Sequence, residues 1–193
     1  TFGVCWGGVY YCTRAFLPLL IASKGGYIVN TSSVNGFWAC LGARTAHPPY
    51  GAAKLAVKGF SEALLTDLRL NAPHVKVAVV MPGHIGTDIV LNSRRVLLGA
   101  EPEDMTAEEL AEARVQMGKR GMPTEGMSDD QIREMLKMFG EGFKSMAPVS
   151  AAQAATIILD AVKAGKWRIL VGDDAHRLDE LVRANPEEIY GEN

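Results

Sequence analysis

Cysteine is scarce in this chain of 193 residues, which has only Cys5, Cys12 and Cys40. An odd number without a CxxC spacing excludes a disulfide framework and a zinc ribbon. It points instead to free thiols in a reducing compartment, hence to a cytoplasmic protein. Charge of one sign is scarce too: the formal net charge is −2, leaving no basic surface for nucleic acid or an anionic membrane. Long apolar runs are missing. The longest, Phe16 to Ala22, is too short to cross a bilayer and reads as a buried helix end, so no membrane association is expected. No metal-ligand spacing, internal repeat or glycine-rich phosphate turn is evident.

What the chain does have is hydrophobic material, 48% of its residues, arranged in alternating helix and strand periods. Residues 1–22 read as a mostly buried helix, stopped by Gly25 and Gly26. Tyr27 to Asn30 is a short buried strand ending in the polar run Thr31-Ser32-Ser33, and residues 35–49 form a loop broken by Gly36, Gly42 and Pro48-Pro49. A long helix is predicted from Tyr50 to Leu70, with Leu55, Phe60, Ala63, Leu64 and Leu68 as its apolar stripe. Val75 to Val80 is nearly continuously apolar, as a parallel strand covered on both faces would be.

Residues 88–147 differ, being charged and holding seven of the eight methionines. Thr106 with Glu109, and Ser128 with Gln131, form capping boxes that predict two helices there. Ser150 to Gln153 opens a final helix ended by Gly165; Arg168 to Val171 is the last strand, followed by a polar tail. The alternation predicts an α/β fold: a Rossmann-like, three-layer doubly wound parallel sheet forming one domain over 1–193. A helical insert near 88–147 is expected to act as a substrate lid, and the N-terminal strands of such a fold are expected to lie outside this sequence.

Chemistry concentrates at Tyr50 and Lys54. Four residues apart on a helix, they share one face, and an ammonium beside a phenol lowers a tyrosine pKa from its usual value near ~10. A tyrosine tuned in this way exchanges protons with a hydroxyl or carbonyl. In α/β sheets ligands bind beyond the carboxyl ends of the strands. Thr31-Ser32-Ser33, Tyr50 with Lys54, and Pro82-Gly83-His84-Ile85-Gly86-Thr87 all fall at such ends. Singly each has a plain reading, as a turn cap, a surface pair and a strand terminator. His84 reads as a loop residue, and His47 and His74 as surface residues.

Together, and in this order, the three motifs resemble the short-chain dehydrogenase/reductase family in its single-domain form. The resemblance is strong over residues 1–90 and weak beyond. It implies an NAD(P)-dependent oxidoreductase interconverting an alcohol and a carbonyl. Ser33 would hydrogen-bond the reacting oxygen and Tyr50 would pass the proton. Lys54 would lower the tyrosine pKa and hold the nicotinamide ribose. Pro82, Gly83, Ile85 and Thr87 would flank the carboxamide of NAD or NADP. The partners implied are a small-molecule alcohol or carbonyl and a second copy of the chain. Helices 9–22 and 50–70 would form the interface of a homodimer, or of a homotetramer built from such dimers.

Two features depart from the family pattern. Counting back from Thr13, Cys5 stands where the family places a relay asparagine, and the loop from Val34 to Pro49 is long. Two other readings are a nucleotide-sugar epimerase or dehydratase, which shares the tyrosine–lysine pair, and a non-enzymatic scaffold on a degenerate reductase fold. The compact C-terminal part argues against the first, and the intact Ser33, Tyr50 and Lys54 against the second.

Overall fold

The computed structural model describes residues 1–39, 47–98, 102–119 and 121–190. Cys40 and Gly42 lie outside the described residues. In chain order a π-helical turn, Gly3–Gly7, runs into α1 (Gly8–Ala22), then β1 (Gly26–Thr31), α2 (Pro48–Asn71) and β2 (Val75–Pro82). There follow β3 (Ile85–Gly86), α3 (Ile89–Leu98), α4 (Ala107–Lys119), α5 (Asp129–Ser145) and β4 (Val149–Ser150). The chain closes with α6 (Ala151–Lys163), β5 (Arg168–Val171), α7 (Asp173–Ala184) and a short 3-10 turn, Glu188–Tyr190. Two compact units result: Thr1–His84 with Ala152–Asn193, and Ile85–Ala151.

The first unit is built on a parallel sheet in the order β1-β2-β5, with Thr31 opposite Val80 and Pro82 opposite Val171. Buried residues alternate on β1, whereas β2 is buried almost throughout. On one face, Ile28, Val75 and Val77 pack with Leu64, Leu68 and Ala72, and Leu17, Leu20 and Phe60 lean against them. Each aliphatic side chain removed from water there contributes roughly 1.5–3 kcal/mol. Tyr27 and Val29 on the other face of β1 are exposed, so that expected buried strand is covered on one side only.

Further expectations are corrected. The first helix is mostly exposed: only Gly7 and Thr13 are buried, and Val4, Tyr11, Phe16 and Leu19 face outward. The π-turn and α1 together make Gly3–Ala22, 20 residues long and, among the described residues, the one helix long and apolar enough to cross a membrane. Glycines and a single arginine interrupt the run in sequence without breaking the helix. Pro48 and Pro49 open α2 rather than break the chain, because proline at a first helical position gives up an N–H that would lack a partner anyway. The buried stripe of α2 is Gly51, Ala53, Val57, Ser61, Leu64 and Leu68, leaving Leu55 and Ala63 exposed. Finally, the polar tail contains α7, whose buried positions are Ala175 and Asp179.

The second unit has its own core of Met105, Leu110, Met117, Ile132 and Leu136, with Met122, Met127 and Met135 packed against it. Both predicted capping boxes form: Thr106 with Glu109, and Ser128 with Gln131. The methionines of this unit are thus mainly core, although Met138 and Met146 are exposed.

Candidate active site

Polar residues at the end of β1 lace it to α2. Asn30 Nδ2 donates to Ser61 Oγ at 3.0 Å, and Ser61 passes its own hydrogen to Val57 O at 2.7 Å. Ser32 Oγ donates to Lys54 O at 2.7 Å, while Lys54 Nζ reaches back to Thr31 O at 3.0 Å. Gly36 lies so close beneath Ser32 and the Lys54 carbonyl that no side chain fits. Gly51 similarly admits the backbone of Ala39 against the first turn of α2. The small residues between Tyr50 and Lys54 therefore let the loop after Ser33 close on the helix.

This lacing brings Ser33, Tyr50 and Lys54 together. The Ser33 hydroxyl lies near enough to the Tyr50 phenol to act on its pKa. Lys54 Nζ stands 5.5 Å from the Tyr50 ring centroid, in the range of a cation–π contact. Ser33 also caps the turn Val34–Gly36, accepting from Asn35 N at 3.2 Å and donating to Asn35 Oδ1 at 3.3 Å. One side chain thus both caps this turn and faces Tyr50. Asn35, 1% exposed, went unread in the sequence; a Ser-x-Asn step after a strand was its only signal.

The electrostatics differ from expectation. Burial pushes the Tyr50 phenol above its ordinary value, against the lowering effect of the Ser33 hydrogen bond. Burial likewise holds the Lys54 ammonium below its usual range. The net shift of the phenol is upward even with the Lys54 ammonium over its ring and engaged by a backbone carbonyl.

At the neighbouring strand end, Ser32 N donates to Val80 O at 2.8 Å. Two residues farther on, Pro82 ends β2, and Gly83 N donates to Val171 O at 3.0 Å. His84 N donates to Asp174 Oδ2 at 2.6 Å; Asp174 was missed because α7 was read as tail. Ile85 and Thr87 belong to the second unit, where Ile85 pairs with Val149 and Thr87 N donates to Ile85 O. His47 and His74 are exposed, as expected. Cys5 is half-buried and Cys12 exposed, both as free thiols, and no group of three or more potential metal ligands occurs among the described residues.

Residues 1–96 match a family model described as short chain dehydrogenase. The putative oxidoreductase SadH of Mycobacterium tuberculosis is 33% identical over 177 residues, covering 91% of this chain and 50% of SadH. The NADP-dependent 3-hydroxy acid dehydrogenase YdfG of Escherichia coli is 39% identical over 79 residues, 41% of this chain and 29% of YdfG. A short chain dehydrogenase/reductase of Burkholderia phymatum, solved with NAD, superposes with a TM-score of 0.63 at 25% identity. That superposition spans 97% of this chain and 57% of the other. A short chain dehydrogenase of Burkholderia cenocepacia, solved with NADP, has the same fold, with a TM-score of 0.54 at 20% identity over 98% of this chain and 57% of the other. The chain therefore spans about half the length of SadH and somewhat more of these two structures.

Proposed function

Since the chain belongs to the short-chain dehydrogenase family, we propose that it carries the proton-transfer half of an NAD(P)-dependent oxidoreductase that interconverts an alcohol and a carbonyl. The observation that carries this reading is the Ser33–Tyr50–Lys54 cluster, formed at the carboxyl end of the sheet where α/β folds bind ligands. Ser33 and Tyr50 present two neighbouring hydroxyls. One can donate to a reacting oxygen while the other hands its proton over, so charge developing on that oxygen meets donors aimed beforehand. With its pKa raised, Tyr50 is protonated at neutral pH, which suits it to act as the acid in carbonyl reduction.

A nicotinamide cofactor fits the residues present. Lys54 Nζ has three N–H groups and gives one to Thr31 O. Among the described residues the others remain for the hydroxyls of a ribose. Pro82 and Gly83, at the end of the adjacent strand, offer a side-chain-poor edge to a planar ring. Ile85 and Thr87 are proposed for the same group on the family resemblance alone. When bound, the cofactor supplies or accepts the hydride.

The unit Ile85–Ala151 is proposed as a substrate lid, in keeping with its separate core. The exposed apolar residues of α1 and α2, among them Tyr11, Phe16, Leu19 and Leu55, suit a contact between two copies of the chain. Light scattering of the full-length protein should give a dimer or tetramer; a monomer at micromolar concentration refutes the contact.

Tyr50→Phe is the deciding experiment. It keeps the ring and removes the hydroxyl, and turnover, followed by absorbance of the reduced nicotinamide over a panel of alcohols and ketones, should fall about 10²–10⁴-fold. Retention of more than a few per cent of the activity would remove Tyr50 from the chemistry.

A further inference from the structure

We propose that Asp174 is a positioning residue: its carboxylate pins the Gly83–His84 peptide and so fixes the turn on which a nicotinamide ring would lie. The functional half of this inference rests on the hydride-transfer reading above; the structural half stands on geometry alone.

Asp174 is the second residue of α7, which follows β5 after Gly172. Its Oδ2 accepts the His84 N–H at 2.6 Å. The preceding peptide is held as well, by Gly83 N donating to Val171 O at 3.0 Å. Two consecutive N–H groups of the turn are thus anchored from the β5–α7 side. A Cβ built on Gly83 would overlap all three atoms of the Asp174 carboxyl group. The described glycines with positive φ are Gly121, Gly126, Gly165 and Gly172, so backbone conformation does not require glycine at 83. Close approach does: the carboxylate lies against the Cα of residue 83, and a larger residue there would push the Asp174 side chain away from its bond to His84.

The other carboxylate oxygen, Oδ1, is buried and has no hydrogen-bond partner among the described residues. A buried, half-satisfied carboxylate costs stability, partly offset by its place in the first turn of a helix, where the macrodipole favours negative charge. A group kept at that cost, against a glycine that leaves it room, holds the turn rather than merely filling space. The resemblance assigned Gly83 to the cofactor; the structure gives it a second reason, the seat of Asp174.

A double-mutant cycle tests this. Gly83→Ala should lower the melting temperature by about 3 °C or more, and most of that loss should vanish in an Asp174→Ala background, where the clash is gone. In the amide spectrum, the His84 proton should lie downfield in the parent, move upfield in Asp174→Ala and sit between the two in Asp174→Asn, which keeps a neutral acceptor. In the full-length protein, Asp174→Ala should raise the cofactor KM about tenfold, a change of ~1.4 kcal/mol. kcat at saturating cofactor should change little, and Asp174→Asn should restore part of the KM. Additive losses in the cycle, or an unmoved His84 amide, overturn the strap. A coupled cycle with an unmoved cofactor KM overturns the positioning role. If the parent protein shows no hydride transfer at all while cycle and amide behave as stated, the catalytic reading falls and the strap is supported.

Discussion

In the unit built on the parallel sheet, the buried polar residues Asn30, Ser32, Ser33 and Asn35 crowd the end of β1, and each is tied by a hydrogen bond to the next loop or to α2. In the unit Ile85–Ala151, the hydrophobic core is Met105, Leu110, Met117, Ile132 and Leu136, and charges pair near the surface, as Arg114 does with Asp129 and Lys144 with Asp88. Hydrogen bonds are directional, so the first arrangement tolerates few alternative geometries. Methionine contacts are not, and an unbranched thioether refills space after a neighbour shifts. The difference is between a region built to hold atoms in place and one able to repack.

The sharpest test of that contrast uses the two cores. Leu68→Ala, in the first unit, should cost about 2–5 kcal/mol of stability, whereas Met117→Leu, in the second, should cost less than about 1.5 kcal/mol. Chemical unfolding of each variant measures both, and comparable losses would erase the distinction. Lys54→Met comes next. It should weaken cofactor binding about tenfold, equivalent to ~1.4 kcal/mol. The sign of its pH effect follows from charge: loss of a cation near the phenol disfavours phenolate, so the Tyr50 pKa, already raised, should rise further. Carbonyl reduction, which needs protonated Tyr50, declines as pH climbs through that pKa; in the variant the decline should begin at higher pH. A pH–rate profile identical to the parent's would confine Lys54 to binding.

The smallest expected effect concerns the proposed lid. Hydrogen exchange in residues 88–98 and 102–119 should slow when cofactor and substrate are added together, and more than in the hydrogen-bonded β1–α2 junction. Protection confined to that junction would make the second unit a passive subdomain.

The same contrast explains what could be read from the sequence. The convergence of Ser33, Tyr50 and Lys54 was legible because their order sets them at neighbouring element ends, and both capping boxes were legible because directional hydrogen bonds fix residue type and spacing. Helix α7 was not: one of its two buried positions is Asp179, paired with Arg168 and Arg183, and a charged residue on the inner face hides the apolar period. The exposure of α1 was also illegible, since apolar content reports what a surface prefers, not whether anything covers it. Asp174 lay in the unread helix, and its effect on Gly83 acts across a gap of about ninety residues, beyond any local pattern.

The loop of bonds in which Ser32 donates to the Lys54 carbonyl while the Lys54 ammonium donates to Thr31 also has an entropic meaning. A free lysine side chain carries about 2 kcal/mol of rotamer entropy, and a ligand that had to still it would bind more weakly by a comparable amount. Here the side chain is tethered at both ends of its residue before any ligand arrives, so that disorder is surrendered when the chain folds. An incoming ribose would meet a lysine whose search is already over.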